Sequence, residues 1–393
     1  MHIVILGAGY AGLRAAIDLD RLLRQSGRDD TVSLVDQYPY HQLVQVLHLT
    51  ATAAMPDKKA IYELAPLLSG SGVQLVEGRI ARIDPVGRLV QLTDGRALAY
   101  DRLVIALGAE TAYGRVPGAR EHTLTLHSYE QAIRLREHIV AQFTAAAKTS
   151  DTKAQRVLMT TAIVGGGYTG CQLAGELAGW ADDLCRETGA PRSEVRIALV
   201  ERTRSLLPQF GSWATLTAEQ ALDNLGVSVY LDTLVEAVEP QMLRVNGQRV
   251  LRAATIVWSG GIRGPELLAA SGLPVDSLGR VVVDRYLRVV DYASIFAAGD
   301  CAAIPDSPGE GTVPATASYA MRQGTHLAQA LFAELEGQAP RSYEPLKLGE
   351  LVSLGPHYAV GNPLGVQMSG YPALLAKKAV EKYYRATIEG PLA

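Results

Sequence analysis

The sequence predicts an α/β protein built on two doubly wound, mostly parallel sheets followed by a helical segment, and three observations predict it. An apolar strand, a glycine-rich turn and a helix open the chain as "HIVILGAGYAGLRAAIDL" and recur near its middle as "TAIVGGGYTGCQLAGEL". Each unit runs on to a second apolar strand that ends on an acid, "TVSLVD" and "VRIALVE". Each is then followed by a long matching stretch, "GVQLVEGRIARIDPVGRLVQLTDGRALAYDRLVIALGAE" in the first half and "GVSVYLDTLVEAVEPQMLRVNGQRVLRAATIVWSGG" in the second.

In the first unit, "HIVIL" is short and apolar throughout, as a strand buried on both faces requires. Gly7, Gly9 and Gly12 follow in GxGxxG spacing and include Tyr10 and Ala11. The first glycine permits the tight turn, the second lets a pyrophosphate approach the backbone, and the third lets helix and strand pack closely. The phosphates then lie at the positive end of the helix dipole. Asp36, at the end of the second strand, is placed to accept hydrogen bonds from an adenosine ribose.

The second unit repeats each part. Gly165, Gly167 and Gly170 form the turn around Tyr168 and Thr169, "CQLAGELAGWADDL" forms the helix, and Glu201 takes the place of Asp36. The connection "CRETGAPRSE" reads as a surface loop. The matching stretches each predict alternating strands around a hairpin, with "DG" at Asp94 and "NG" at Asn246. The chain is thus an internal duplication, with a repeat far longer than a solenoid unit.

Composition narrows the classes. At 393 residues the chain holds two or three domains. The hydrophobic share of 48% and charged share of 20% are those of a globular protein. A net charge of -3 excludes a basic nucleic-acid surface. No apolar run approaches the ~20 residues of a membrane span. The passage from Met1 straight into a strand predicts a cytoplasmic protein. Cys171, Cys185 and Cys301 form no CxxC, and there is no metal-ligand spacing of Cys or His. With Cys171 and Cys185 on one helix they lie ~20 Å apart, too far for a disulfide.

Two dinucleotides in one chain imply electron transfer between them. A flavin and a nicotinamide nucleotide are the natural pair, since hydride passes readily from one to the other.

Four ordered motifs carry a resemblance over essentially the whole chain: the two glycine turns, "YDRLVIALGAE" and "IFAAGD". The chain resembles the two-dinucleotide-binding flavoproteins of the glutathione-reductase-like fold, with two Rossmann-like domains. The resemblance implies FAD at the first turn and NAD(P)H at the second. It implies a flavin contact from Asp300 beside Gly299, and further cofactor contacts at Ile80, Ala106, Gly108 and Ala317. The disulfide reductases of this group carry a Cys-x4-Cys pair where this chain has "YPYHQLVQVLHLTATAAMP", so thiol-disulfide chemistry of that kind is excluded. Sulfide:quinone reductases also use paired cysteines.

The segments "GYTGCQLAGELA", "LVERTRSLLPQF", "IVWSGGIRG", "VPATASYAMRQGTHLA" and "GELVSLGPHYAV" most resemble the type II NADH:quinone oxidoreductases. By that resemblance Gly260 and Gly261 line the nicotinamide nucleotide site. Glu201 favours NADH over NADPH, a preference that the following Arg202 and Arg204 would soften. The expected reaction is hydride transfer from NADH to FAD and then electron transfer to a quinone. The alternatives are a reductase of a soluble protein or small-molecule acceptor, and an NADH-sensing flavoprotein without catalysis.

Three departures bear on the acceptor. The family commonly has Glu near the flavin where this chain has Gln172, which cannot move a proton. An Ala-Gln pair and a later Gln are replaced at Ser318 and Arg322, the latter a cation suited to a reduced flavin or an acidic acceptor. The C-terminal "YPALLAKKAVEKYYRATI" has Leu375, Ala379, Val380, Tyr383, Tyr384 and Ile388 at helical spacing, with Lys377, Lys378, Lys382 and Arg385 interleaved. This fits an interfacial helix and equally a helix docked on the protein. Any membrane contact is expected to be weak and peripheral, on the cytoplasmic membrane face, and the resemblance implies a homodimer. His41, in the segment expected beside the flavin, is the candidate to titrate near neutral pH. The expected division is residues 1–112 and 265–345 for the FAD domain, 113–264 for the inserted NAD(P)H domain, and 346–393 for the C-terminal segment.

Overall fold

In the computed structural model, which describes residues 1–247, 249–306 and 311–389, the duplication becomes two parallel sheets. The first unites β1 (His2–Leu6), β2 (Thr31–Asp36), β3 (Gln74–Glu77), β4 (Arg102–Ile105) and a late strand, β9 (Ile295–Ala297), in the order β9-β4-β1-β2-β3. The second unites β5 (Thr160–Val164), β6 (Arg196–Val200), β7 (Val227–Tyr230) and β8 (Thr255–Trp258) in the order β7-β6-β5-β8. All neighbours in both sheets are parallel. Such sheets are covered on both faces, and every residue of β5 is buried accordingly.

Each sheet carries a three-stranded antiparallel meander, Ile80–Asp84 to Ala97–Ala99 in one half and Val235–Glu239 to Arg249–Arg252 in the other. The register shifts at the same place in both, between Ile80 and Arg82 and between Val235 and Ala237. A bulge bends the strand and raises its local twist. Its recurrence shows that the repeat extends to backbone irregularities.

The chain passes from the first sheet to the second, and back again, through two short strands that run side by side. Glu110–Thr111 pairs antiparallel with Ile262–Arg263. Beyond them β9 completes the first sheet, and α4 (Ala317–Leu335) packs across α1 (Tyr10–Gln25). The crossing is close: a Cβ on Gly324 would fall 2.3 Å from the Ala11 carbonyl oxygen.

Two details differ from the sequence reading. The helix of the second unit, α3 (Tyr168–Thr188), runs into the stretch read as a loop and ends at Gly189 with φ +75°, the left-handed stop typical of helix ends. The final helix, α5 (Tyr371–Glu389), docks by a different face from the expected one. Leu374, Lys377, Tyr384 and Ile388 point inward, while Leu375, Val380 and Tyr383 are 49%, 61% and 66% exposed. The expected apolar stripe is therefore split, and Lys377 is buried with the core.

The glycine turns are fixed by backbone contact. A Cβ on Gly12 would lie 1.9 Å from the Gly7 carbonyl oxygen, whereas a Cβ on Gly9 meets nothing within 4 Å. Gly12→Ala is expected to cost about 1–3 kcal/mol through overpacking, and Gly9→Ala to stay within about 0.5 kcal/mol. Unfolding midpoints in urea test the contrast; equal losses in both variants would contradict it.

Candidate functional site

The two glycine turns have the same construction. Gly7 and Gly165 adopt φ +96° and +110°, a region open to glycine at little cost. A Cβ at either would strike a carbonyl oxygen at 2.4 Å, that of Ala106 after β4 in one half and that of Ser259 after β8 in the other. Gly12 and Gly170 each sit against the carbonyl of the first glycine of their own turn. The middle glycines, Gly9 and Gly167, cap α1 and α3 and face open space. A cradle of this form has room for a pyrophosphate against the backbone, at the N-terminal end of each helix.

Each cradle is held by its acid. Asp36 Oδ2 accepts from the Ala8 N–H at 2.6 Å and Oδ1 from the Tyr38 N–H at 2.9 Å. Glu201 Oε2 accepts from the Gly166 N–H at 2.6 Å and Oε1 from the Thr203 N–H at 2.7 Å. Burial pushes the Asp36 carboxyl above its usual range, opposed by the N–H groups of Ala8, Tyr38 and Gln37. Glu201 Oε1 also accepts from the Thr203 hydroxyl at 2.9 Å, so its spare acceptor capacity lies at Oε2, since each oxygen takes two hydrogen bonds, and Asp36 likewise keeps capacity. Tyr10 and Tyr168, the first residues of α1 and α3, each have a buried hydroxyl with no hydrogen-bond partner among the described residues. The residues at both turns fit a dinucleotide.

The predicted residues assemble around these turns. At the first, Gly299 packs against Ala11 and Ala320, and Ala106 against Gly7 and Gly12. The Gly299 N–H donates to Gln323 Oε1 at 2.7 Å, which ties Asp300 to α4. Burial raises the Asp300 carboxyl above its ordinary range, and His127 works against that rise. Ala317 opens α4, whose Thr316 side chain caps the Tyr319 N–H. Gly108 lies in the loop after β4, and Ile80 stands at the bulge that opens the meander. At the second turn, Thr169 follows Tyr168 at the start of α3. Gly260 lies against the Trp258 ring, and Gly261 faces Ala112 across the paired crossing strands.

The three residues expected to act on the acceptor have different hydrogen-bond partners. Arg322 Nη1 donates to Ser318 Oγ at 2.8 Å and Nη2 to the Leu346 carbonyl at 3.0 Å, so it ties α4 to the C-terminal segment. Gln172, buried on α3, donates through Nε2 to Ser353 Oγ at 3.2 Å. His41 requires a correction. It is fully buried, its Nδ1 donates to the Ala8 carbonyl at 2.8 Å, and its Nε2 accepts from the Tyr384 hydroxyl at 2.8 Å. Burial lowers its pKa to about 4, so it is neutral near pH 7 and positions the first turn instead of titrating there.

Several residues of this region escaped the sequence reading as site residues: His48, Glu176 and Ser353, with Tyr384 read only as part of the C-terminal stripe. Glu176 was within reach, one helical turn after Gln172 in the same motif. The others are joined to the site only by long-range packing. All three cysteines are free and buried, with thiols pushed upward by burial. No group of three His, Cys, Asp or Glu capable of holding a metal occurs among the described residues.

His41 gives a pH prediction. The unfolded ring binds a proton below about pH 6.5, the folded ring only below about 4. The unfolded state therefore binds more protons between those values, and stability falls as the pH drops through that window, by about 3 kcal/mol in full. Unfolding free energies at pH 7 and pH 4.5 check this. In His41→Gln the fall should be smaller; an equal fall would contradict the assignment.

Comparison with known proteins agrees with this geometry. Residues 1–324 match the family described as pyridine nucleotide-disulphide oxidoreductase. A type II NADH:quinone oxidoreductase of Staphylococcus haemolyticus is 30% identical over 384 residues, spanning 96% of this chain and 94% of its own length. One from Staphylococcus aureus is 29% identical over the same shares. Among solved structures, NDH2 of Plasmodium falciparum in complex with NADH superposes with a TM-score of 0.88 at 16% identity, covering 97% of this chain and 94% of that one. The sulfide:quinone oxidoreductase of Aquifex aeolicus follows at 0.78 and 20% identity, covering 98% and 91%. With two cradles that fit dinucleotides and a relative of this identity along nearly its whole length, the chain belongs to the type II NADH:quinone oxidoreductases of the pyridine nucleotide-disulphide oxidoreductase family, and is an enzyme that uses FAD and NADH.

Proposed function

We propose that this enzyme passes the electrons of NADH through FAD to a quinone. The observation that carries this reading is the pair of equivalent glycine cradles in a chain 30% identical to a type II NADH:quinone oxidoreductase along 96% of its length. In this reading the FAD domain comprises residues 1–112 and 265–345, the NADH domain 113–264, and the C-terminal segment 346–393. FAD lies against Gly7, Gly9, Tyr10, Ala11, Gly12, Asp36, Ile80, Ala106, Gly108, Gly299, Asp300 and Ala317. NADH lies against Gly165, Gly167, Tyr168, Thr169, Gly170, Glu201, Gly260 and Gly261.

Bound FAD supplies the two-electron chemistry. The protein orients the two nucleotides, and that positioning lowers the barrier without acid or base in the first half-reaction. Asp36 and Glu201 hold ribose hydroxyls with the acceptor capacity left by their backbone contacts. A carboxylate at Glu201 disfavours a 2′-phosphate, so NADH is preferred to NADPH. Gln172 and Arg322 act in the acceptor half-reaction: Gln172 through its link to Ser353, Arg322 by bringing a cation to the start of α4.

The exposed face of α5 supports a second element of the reading. Leu375, Val380 and Tyr383 are exposed together with Lys378 and Lys382, a pattern suited to a weak peripheral contact with an anionic bilayer on the cytoplasmic side or to a homodimer. No helix among the described residues is long and apolar enough to cross a membrane. Sedimentation with anionic vesicles separates the two: Leu375→Glu should abolish pelleting if the face meets lipid, and should instead shift the elution volume on gel filtration if it meets a second copy.

Anaerobic NADH should bleach the flavin absorbance of the holoenzyme, and a short-chain quinone should restore it. Bleaching without restoration would favour a soluble acceptor, and the absence of bleaching a sensor. Glu201→Ala should raise the KM for NADH about tenfold or more, the loss of hydrogen bonds to a charged acceptor, with FAD retained. An unchanged KM would refute the ribose assignment.

A further inference from the structure

Five polar side chains are buried together where α3, α5, α2 (Leu47–Ala51) and the strand Leu351–Ser353 meet. They are His48, Gln172, Glu176, Ser353 and Lys377, none more than 9% exposed. Ser353 Oγ joins Gln172 Nε2 and His48 Nε2, each at 3.2 Å. Glu176 lies one turn beyond Gln172 on the inner face of α3. Lys377 comes in from α5 and ion-pairs with Glu381, one turn further along that helix. Lys377 and Lys378 are the cations that act on the Glu176 carboxyl, and Lys377 also faces His48.

A buried carboxyl is costly and is kept neutral unless its charge is compensated. Burial raises Glu176 to about 7 against the two lysines, the range in which a group both holds and gives up a proton at neutral pH. His48 is driven far below its usual range by burial and then by Lys377, so it carries no proton to spare. Gln172 has none at any pH. Of His48, Gln172 and Glu176, it is thus Glu176 that can both hold and give up a proton.

We propose that Glu176 holds the proton taken up by the acceptor in the second half-reaction, and that Lys377 stabilises the carboxylate left behind until solvent refills it along the Glu381 side. This rests on the quinone reading above. A quinone becomes a quinol by gaining two electrons and two protons. Both electrons and one proton derive from the hydride of NADH by way of FAD. The O–H bond of the Glu176 carboxyl breaks to supply the second proton, and a quinol O–H bond forms.

Stopped-flow measurements on the holoenzyme separate the halves. In Glu176→Gln, reoxidation by a short-chain quinone should slow at least tenfold and lose its fall with rising pH around neutrality. Bleaching by NADH should keep its wild-type rate, which also shows that the variant folds and holds FAD. Gln172→Glu in the Glu176→Gln background should recover most of the lost rate by returning a carboxyl one turn closer to the start of α3. Infrared titration of the oxidised holoenzyme should show a protonated carboxyl band lost near pH 7 in the wild type and absent from Glu176→Gln. An unaltered reoxidation rate and pH profile in Glu176→Gln, or no such band in the wild type, overturns the inference. Failure of the wild type to be reoxidised by any quinone overturns the quinone reading itself, and the infrared result then stands apart from it.

Discussion

The structure depends on backbone meeting backbone at two places. At each glycine turn the third glycine lies against the carbonyl of the first, and the first lies against the carbonyl that ends a neighbouring strand. Side chains would prevent both contacts. The helix can therefore start directly above the strand, with its unpaired N–H groups aimed at the crevice beyond the sheet. Because β4 and β8 supply the opposing carbonyls, each turn is also a joint between its sheet's central strand and the strand across the switch point. Local geometry and sheet assembly are thus one constraint.

The two acids extend that constraint into electrostatics. Asp36 and Glu201 reach back from the second strand to hold an N–H of the turn. Their orientation is fixed by the protein itself, which lowers the ordering cost of the ribose contact proposed for them. The two turns differ in what holds the equivalent carbonyl: the His41 ring bridges that of Ala8 to Tyr384 of the last helix, whereas the Leu207 N–H donates to that of Gly166. One duplicated unit is thus tied through this carbonyl to the C-terminal helix, its copy to a loop of its own domain.

What could be read in advance follows from how local the physics is. The strands, turns, helices and the acids at the strand ends were legible because period, glycine spacing and strand ends lie within about thirty residues of one another. The repeated hairpins at Asp94 and Asn246 were legible for the same reason. Burial set by distant packing was not. His41 reads as a neutral-range titrating group until Tyr384 encloses it. Lys377 reads as one of several interleaved cations until the inward face of α5 is known. Glu176 sits in a quoted motif, but its raised carboxyl comes from burial by elements distant in sequence, and the lysines that oppose the rise lie about two hundred residues downstream on α5. The split of the C-terminal stripe into Tyr384 and Ile388 inside and Leu375, Val380 and Tyr383 outside follows from which side of the helix the body of the protein offers.

The tether between His41 and Tyr384 spans 343 positions of sequence, and β9 joins its sheet almost as late. A ribosome adding about 5–20 residues per second separates the making of β4 from that of the edge strand β9 by roughly 10 to 40 s, and His41 from Tyr384 by roughly 20 to 70 s. The inserted domain, whose four strands lie within one continuous stretch, has no such wait. The half that emerges first is thus the half that matures last. During synthesis its exposed strand edge is the part of the nascent chain most in need of shelter.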